Sequence, residues 1–188
     1  MFTNRNKPTL AILKPQMESS MKKNFFLILL TTLSSYLYSQ TKINVPTKFP
    51  TEYGKFTFSL GSKITLELKE IENNKYEYKV LAIEPIKGYY DLDKNEDLFS
   101  KKPQKNTIEL FFMGAFYNGG KEDKDWKSVL LLRNNLEKPI TYKADIKYYF
   151  SDKFENTSIV GAFPGTATSE LWGHKIDYIT LYGFEKLK

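Results

Sequence analysis

Four oxygen-bearing side chains, Asp91, Asp93, Asn95 and Asp97, alternate in the run YYDLDKNEDLF. Oxygen ligands at alternate positions are how a calcium loop wraps its ion, a hard cation that takes six to eight oxygens. The run departs from that loop at two demanding places. Glu96 stands where the sharp turn needs glycine, and Lys102 stands where a bidentate glutamate should close the site. The plainer reading is an acidic, solvated loop. A calcium site of another geometry is the one cofactor the sequence offers.

Two carboxylates, Glu170 and Asp177, bracket Trp172. A carboxylate pair beside an aromatic platform suits a glycosidase, whose acid and partner stand about 5–9.5 Å apart. Carboxylates are common, however, and strand-end placement on the surface explains them equally well. His174 is the single histidine. One histidine excludes paired-histidine zinc sites and the metalloprotease helix motif. A serine triad would need it, yet there is no G-x-S-x-G elbow. The expected place for His174 is a loop beside Gly173. Gly119-Gly120 lacks the strand, helix and spacing of a phosphate cradle.

The remaining candidates are rings. Trp126 and Trp172 each sit beside a turn signal, and Tyr89 and Tyr90 sit in a long stretch without period. Exposed rings stack on sugars or anchor protein partners, since interfaces favour Trp and Tyr. Against this, either tryptophan can cap a core. The functional expectation is a non-enzymatic binding or accessory protein that contacts a protein partner or a glycan through Tyr89, Tyr90, Trp126 and Trp172. The alternative is a small secreted hydrolase using Glu170 and Asp177.

The N-terminus sets the expected location. Lys22 and Lys23 precede the apolar run Phe25 to Leu33, which continues through Ser, Tyr and Leu to Ser39. A positive start, a short greasy middle and a small residue at the cut make a secretory signal peptide. Residues 25–38 would form a helix of only about 21 Å, short of a hydrocarbon core of about 30 Å. No permanent membrane span is expected. Met21 is read as the true start, residues 1–20 as an over-extended reading frame, and the cut as following Ser39. The rest, 40–188, is expected as one domain, exported from a bacterial cell to the periplasm or medium.

Composition narrows the partners. Residues 1–39 take five of the 28 basic and one of the 22 acidic residues, so the whole-chain charge of +6 falls to +2 without them. Arg133 is the only arginine after Arg5. Arginine forks read phosphates and guanine edges, so a near-neutral domain with one arginine is not a nucleic-acid binder. Cysteine is absent. That excludes disulfides, thiol catalysis, thiolate metal sites and a lipid anchor on cysteine. Stability must come from the apolar core, for which 14 Phe and 13 Tyr supply large rings.

The elements that must position these residues are strands. Period-two alternation marks 62–72 and 75–84, and Asn73-Asn74 between them suits a tight hairpin because asparagine tolerates positive φ. Pro85 ends the second strand. Residues 85–106 have no period and are read as a functional loop, a hidden short helix or a flexible link. TIELFFMGAFY, 107–117, is apolar on both faces and should be buried on both. Asn118-Gly119-Gly120 turns the chain toward a core strand at 128–133. In 139–150, Ile140, Tyr142, Ala144, Ile146, Tyr148 and Phe150 point one way and polar residues the other. Strands 128–133 and 139–150 are expected as antiparallel neighbours, with further strands at 157–163 and 175–184. Seven or eight short strands and no amphipathic helix make an all-β, two-sheet antiparallel sandwich, immunoglobulin-like in architecture only.

Overall fold

Burial alternates along four strands and is nearly continuous along two others in the computed structural model, which describes residues 44–47 and 50–187. The expected signal segment and the start of the expected domain lie outside those residues. Among the described residues, ten strands form two antiparallel sheets. They are β1 (Thr57–Ser59), β2 (Ser62–Glu70), β3 (Tyr76–Pro85), β4 (Tyr90–Asp91), β5 (Thr107–Phe116), β6 (Trp126–Asn134), β7 (Ile140–Tyr148), β8 (Glu155–Thr157), β9 (Ala167–Trp172) and β10 (Ile176–Lys186). The smaller sheet has the order β1-β10-β7-β8, and the larger β3-β2-β5-β6-β9. β4 alone runs parallel to its neighbour, β5. No described helix is long and apolar enough to cross a membrane.

The hairpin β2–β3 forms as its sequence requires. Asn73 and Asn74 both adopt positive φ, 60° and 61°, and the Ile71 N–H closes the turn on the Lys75 carbonyl at 2.8 Å. β5 and β6 pair from Ile108↔Asn134 to Phe116↔Trp126. Their connection turns through Asn118, Gly119 and Gly120, all at positive φ.

The main core lies between the sheets. Ile64, Leu66, Leu110, Phe112, Leu130 and Leu132 from the larger sheet meet Ile140, Tyr142, Ile146, Ile179, Leu181 and Phe184 from the smaller one. Tyr78 ties the two layers with hydrogen bonds. Its hydroxyl accepts from the Phe56 N–H at 2.8 Å and donates to the Leu181 carbonyl at 2.9 Å.

Residues 85–106 are neither a free link nor a helix. They form a strap over the outer face of the larger sheet, where Tyr90 and Phe99 bury Phe111, Met113, Ala115, Val129 and Leu131 in a second core. This is why β5 is apolar on both faces. The strap is also pinned by charge. Asp97 accepts two hydrogen bonds from Arg133, at 3.1 and 3.0 Å, and the Arg133 guanidinium lies 4.5 Å over the Phe99 ring. Buried Glu109 accepts from the Ser100 N–H at 3.1 Å and pairs with Lys63 at 3.5 Å.

Several expectations need correcting. β6 and β7 are not neighbours; they lie in different sheets. The turn between them crosses the sandwich, stapled by the fully buried Asn134. Its side chain donates to Lys138 and Ala162 carbonyls and accepts from the Leu136 N–H. A crossing of this kind satisfies strands that each need an inner face, and neither Asn-Gly nor Gly is present to close a hairpin. Residues 158–161 are not a strand; β8 ends at Thr157, and only Ala162 bridges, to Ile140. β9, with alternation too modest in hydrophobicity to stand out, was not expected. β7 ends at Tyr148, so Phe150 lies in a turn, 61% exposed, rather than in the core.

Candidate aromatic binding site

Consecutive residues of an extended chain point to opposite faces, and Tyr89 and Tyr90 divide in this way. Tyr90 enters the second core and is only 5% exposed. Its hydroxyl donates to Asn95 Oδ1 at 2.9 Å and lies 3.0 Å from the Glu96 carbonyl. Tyr89 turns the other way and is 62% exposed. Its ring lies over Gly114, where an added Cβ would stand 2.7 Å from Tyr89 Cδ1.

Gly114, Phe116, Ser128 and Trp126 continue the inward-facing rows of β5 and β6 beyond the closed core. Trp126 is 38% exposed. It stands edge-on to Tyr89 at 4.9 Å between ring centroids, and tilted against Phe116 at 5.5 Å. Its indole N–H donates to the Gly120 carbonyl at 3.1 Å. Gly120 must also be bare, since a Cβ there would meet the indole at 2.7 Å. The result is an exposed, braced aromatic corner.

A cleft of about 370 Å³ opens beside it, lined by Tyr89, Phe116, Phe111 and Met113, with Lys87, Asp91, Lys94 and Glu96 as polar walls. That volume and lining suit a small ligand held by apolar contact and oriented by a few polar groups.

Of the four rings expected to bind, the structure therefore brings Tyr89 and Trp126 together at the surface. Tyr90 and Trp172 are corrected to core positions. Trp172 is 8% exposed, belongs to the main core and donates to Thr157 Oγ1 at 3.0 Å. Gly120, legible in the sequence only as a turn residue, completes the corner with Gly114 and Phe116, which no sequence pattern marks as site residues. A glycine in the midst of an otherwise bulky buried strand was the signal available.

The four candidate calcium ligands each face a separate partner. Asp91 accepts from the Asp93 and Lys94 N–H groups and pairs with Lys94 at 3.2 Å. Asp93 accepts from the Asn118 N–H at 2.6 Å. Asn95 takes the Tyr90 hydroxyl, and Asp97 takes Arg133 and the Phe99 N–H. The Phe99 N–H and then Arg133 hold the Asp97 carboxyl below its ordinary value. Among the described residues no three His, Cys, Asp or Glu side chains gather as a metal site.

The carboxylate pair is divided between the sheets. Glu170 lies on β9 and accepts from the Val160 N–H at 2.6 Å. Burial raises its pKa, opposed by that hydrogen bond. Asp177 lies on β10 and pairs with Lys175 at 3.2 Å. His174 is exposed in the β9–β10 turn, edge-on to Phe150 at 5.8 Å and Tyr148 at 6.1 Å.

No family model, curated protein or solved structure matches the chain.

Proposed function

We propose that this protein is an exported, non-enzymatic binding module that takes a glycan on the Tyr89–Trp126 corner. The observation that carries the reading is the braced, exposed edge-on pair of Tyr89 and Trp126 beside a cleft with polar walls. Pyranose rings present C–H faces that pack on aromatic rings, and their hydroxyls hydrogen-bond to carboxylates and ammonium groups. Lys87 and Glu96 offer such groups at the cleft. A protein partner would cover about 800 Å² of this domain, whereas the cleft is of small-ligand size. The immunoglobulin-like reading is kept at the level of architecture, two antiparallel sheets with binding loops at one end.

The test is binding to an oligosaccharide array and titration calorimetry on its hits. Tyr89→Ala and Trp126→Ala should each weaken binding about tenfold or more, in the range of a hot-spot ring, with the melting temperature nearly unchanged. Undiminished binding in both variants refutes the site. Export is tested separately by fractionating cells that express the chain with Lys22 and Lys23 intact or changed to glutamate; cytoplasmic retention of both forms rejects it.

A further inference from the structure

A second aromatic cluster stands at the same end of the sandwich, on the other sheet. Phe150 stacks on Tyr148 with centroids 5.2 Å apart and planes 4° from parallel. Tyr149 stands edge-on to Phe150 at 5.1 Å, and His174 edge-on to it at 5.8 Å. Tyr149 and Phe150 are exposed, as Tyr89 and Trp126 are.

The clusters are held in different ways. Trp126 precedes Ser128 and Leu130 at period two, at the start of β6, and carries the inward row of its sheet beyond the point where the core closes. Phe150 lies past the end of β7 in the turn that the Ser151 N–H closes on the Tyr148 carbonyl at 3.1 Å, and its stack on Tyr148 holds it there.

Ser128 joins them. Its hydroxyl donates to the His174 carbonyl at 3.2 Å and accepts from the Ile176 N–H at 3.0 Å. Trp126 lies two residues from Ser128, roughly 7 Å along the strand at about 3.4 Å per residue. The Gly173–Lys175 turn thus separates the two sets of rings, and the space around the Gly173 α-carbon is open.

The walls of the cleft carry two cations, Lys87 and Lys94, against two anions, Asp91 and Glu96. Lys175 meets Asp177, Lys94 meets Asp91, and Lys124 meets Glu122. No surplus field favours a polyanion. Each cluster is exposed aromatic surface rimmed by polar groups, the mark of an interaction site.

We infer that the binding face spans both clusters and takes an extended, uncharged oligosaccharide, running from Tyr89–Trp126 across the Gly173–Lys175 turn to Phe150. This rests on the glycan reading above. A single sugar would occupy only the first corner. A chain engages the second set of rings at high effective concentration once the first is bound, so affinity grows with chain length.

The experiment is calorimetry of the full-length protein with cello-, xylo-, manno- and chito-oligosaccharides of two to six units, and with polygalacturonate. At least tenfold tighter binding of a hexamer than of its dimer is expected. The double variant Tyr149→Ala, Phe150→Ala should abolish that gain and leave dimer affinity and melting temperature unchanged. Length-independent affinity, or a hexamer indifferent to the double variant, overturns the extended face while leaving the Tyr89–Trp126 corner intact. Tighter binding of polygalacturonate overturns the uncharged class. No binding by any of these probes overturns both readings.

Discussion

The ring of Tyr89 rests on the bare α-carbon of Gly114, and that vacancy of side chain sets the angle at which Tyr89 meets Trp126. Residue 114 lies in β5 opposite Ser128, in a row where every earlier inward residue is large. An alanine methyl would stand 2.7 Å from Tyr89 Cδ1 and 2.9 Å from Cε1, so the ring must swing away. The backbone at 114 needs no left-handed conformation, because this glycine is not among those at positive φ. Gly114→Ala should therefore cost less than about 1 kcal/mol, as an exposed ring can relocate. It should still shift Trp126 fluorescence and weaken glycan binding nearly as much as Tyr89→Ala. Unaltered emission and affinity would show that the Tyr89 position is immaterial.

Two tyrosines of the main core offer opposite outcomes for one chemical change. The Tyr78 hydroxyl bonds to both layers, at Phe56 and Leu181. The Tyr142 hydroxyl is buried with no hydrogen-bond partner among the described residues. Burial pushes the pKa of each upward, so both stay protonated and the effect is one of hydrogen bonding alone. Removing a satisfied buried hydroxyl strands its partners and costs about 1–3 kcal/mol; removing an unsatisfied one is neutral or favourable. Urea unfolding of Tyr78→Phe and Tyr142→Phe should thus move the midpoint down in the first and leave it level or raise it in the second. Equal losses would contradict the layer-tying role of Tyr78.

Phe99 packs edge-on to Phe111 at 5.2 Å beneath Arg133. Truncating a buried Phe to Ala costs about 3–5 kcal/mol in a closed core. The strap can lift from the sheet without breaking the main core, so Phe99→Ala should fall at or below the lower end of that range. Hydrogen exchange should quicken first at Leu92, whose N–H bonds the Phe116 carbonyl, while β7 and β10 amides keep their protection. Uniform acceleration across all strands would mean that the strap is no separate unit.

These contrasts show what the sequence could convey. Strict alternation in β2, β3 and β7 specified strands and inward rows, because period two has no other cause. The doubly apolar β5 announced two covers but could not say that 85–106 supplies the second one. That depends on Arg133 reaching Asp97 across 36 positions, which no local pattern encodes. Sheet assignment failed at Asn134 for the same reason: a short link reads as a hairpin unless the buried amide that redirects it is seen. At the site, Tyr89 and Tyr90 were inseparable as a dipeptide. Only the parallel pairing of Tyr90 with Ala115 settles which faces the second core. The pair Tyr89–Trp126 likewise exists only through the β4–β5–β6 arrangement.

Acidity separates the carboxylates by sign. Burial raises the Glu170 pKa, so the folded state holds its proton more tightly than the unfolded chain. Its favourable contribution is full below the ordinary glutamate value of about 4.3 and is lost as pH rises through the raised value. Asp97 is lowered by the Phe99 N–H and then Arg133. Its contribution is full above about 3.9 and disappears as pH falls through the depressed value. Glutamine at 170 keeps an oxygen for the Val160 N–H and removes the charge. Glu170→Gln should therefore melt above the wild type at pH 7, with the gap shrinking toward zero near pH 4. Asp97→Asn should melt below the wild type at pH 7, with its gap closing only at more acid pH. Both differences come from melting curves at several pH values. A Glu170→Gln gap that widens on acidification would reverse the assigned sign and, with it, the role of burial at that carboxyl.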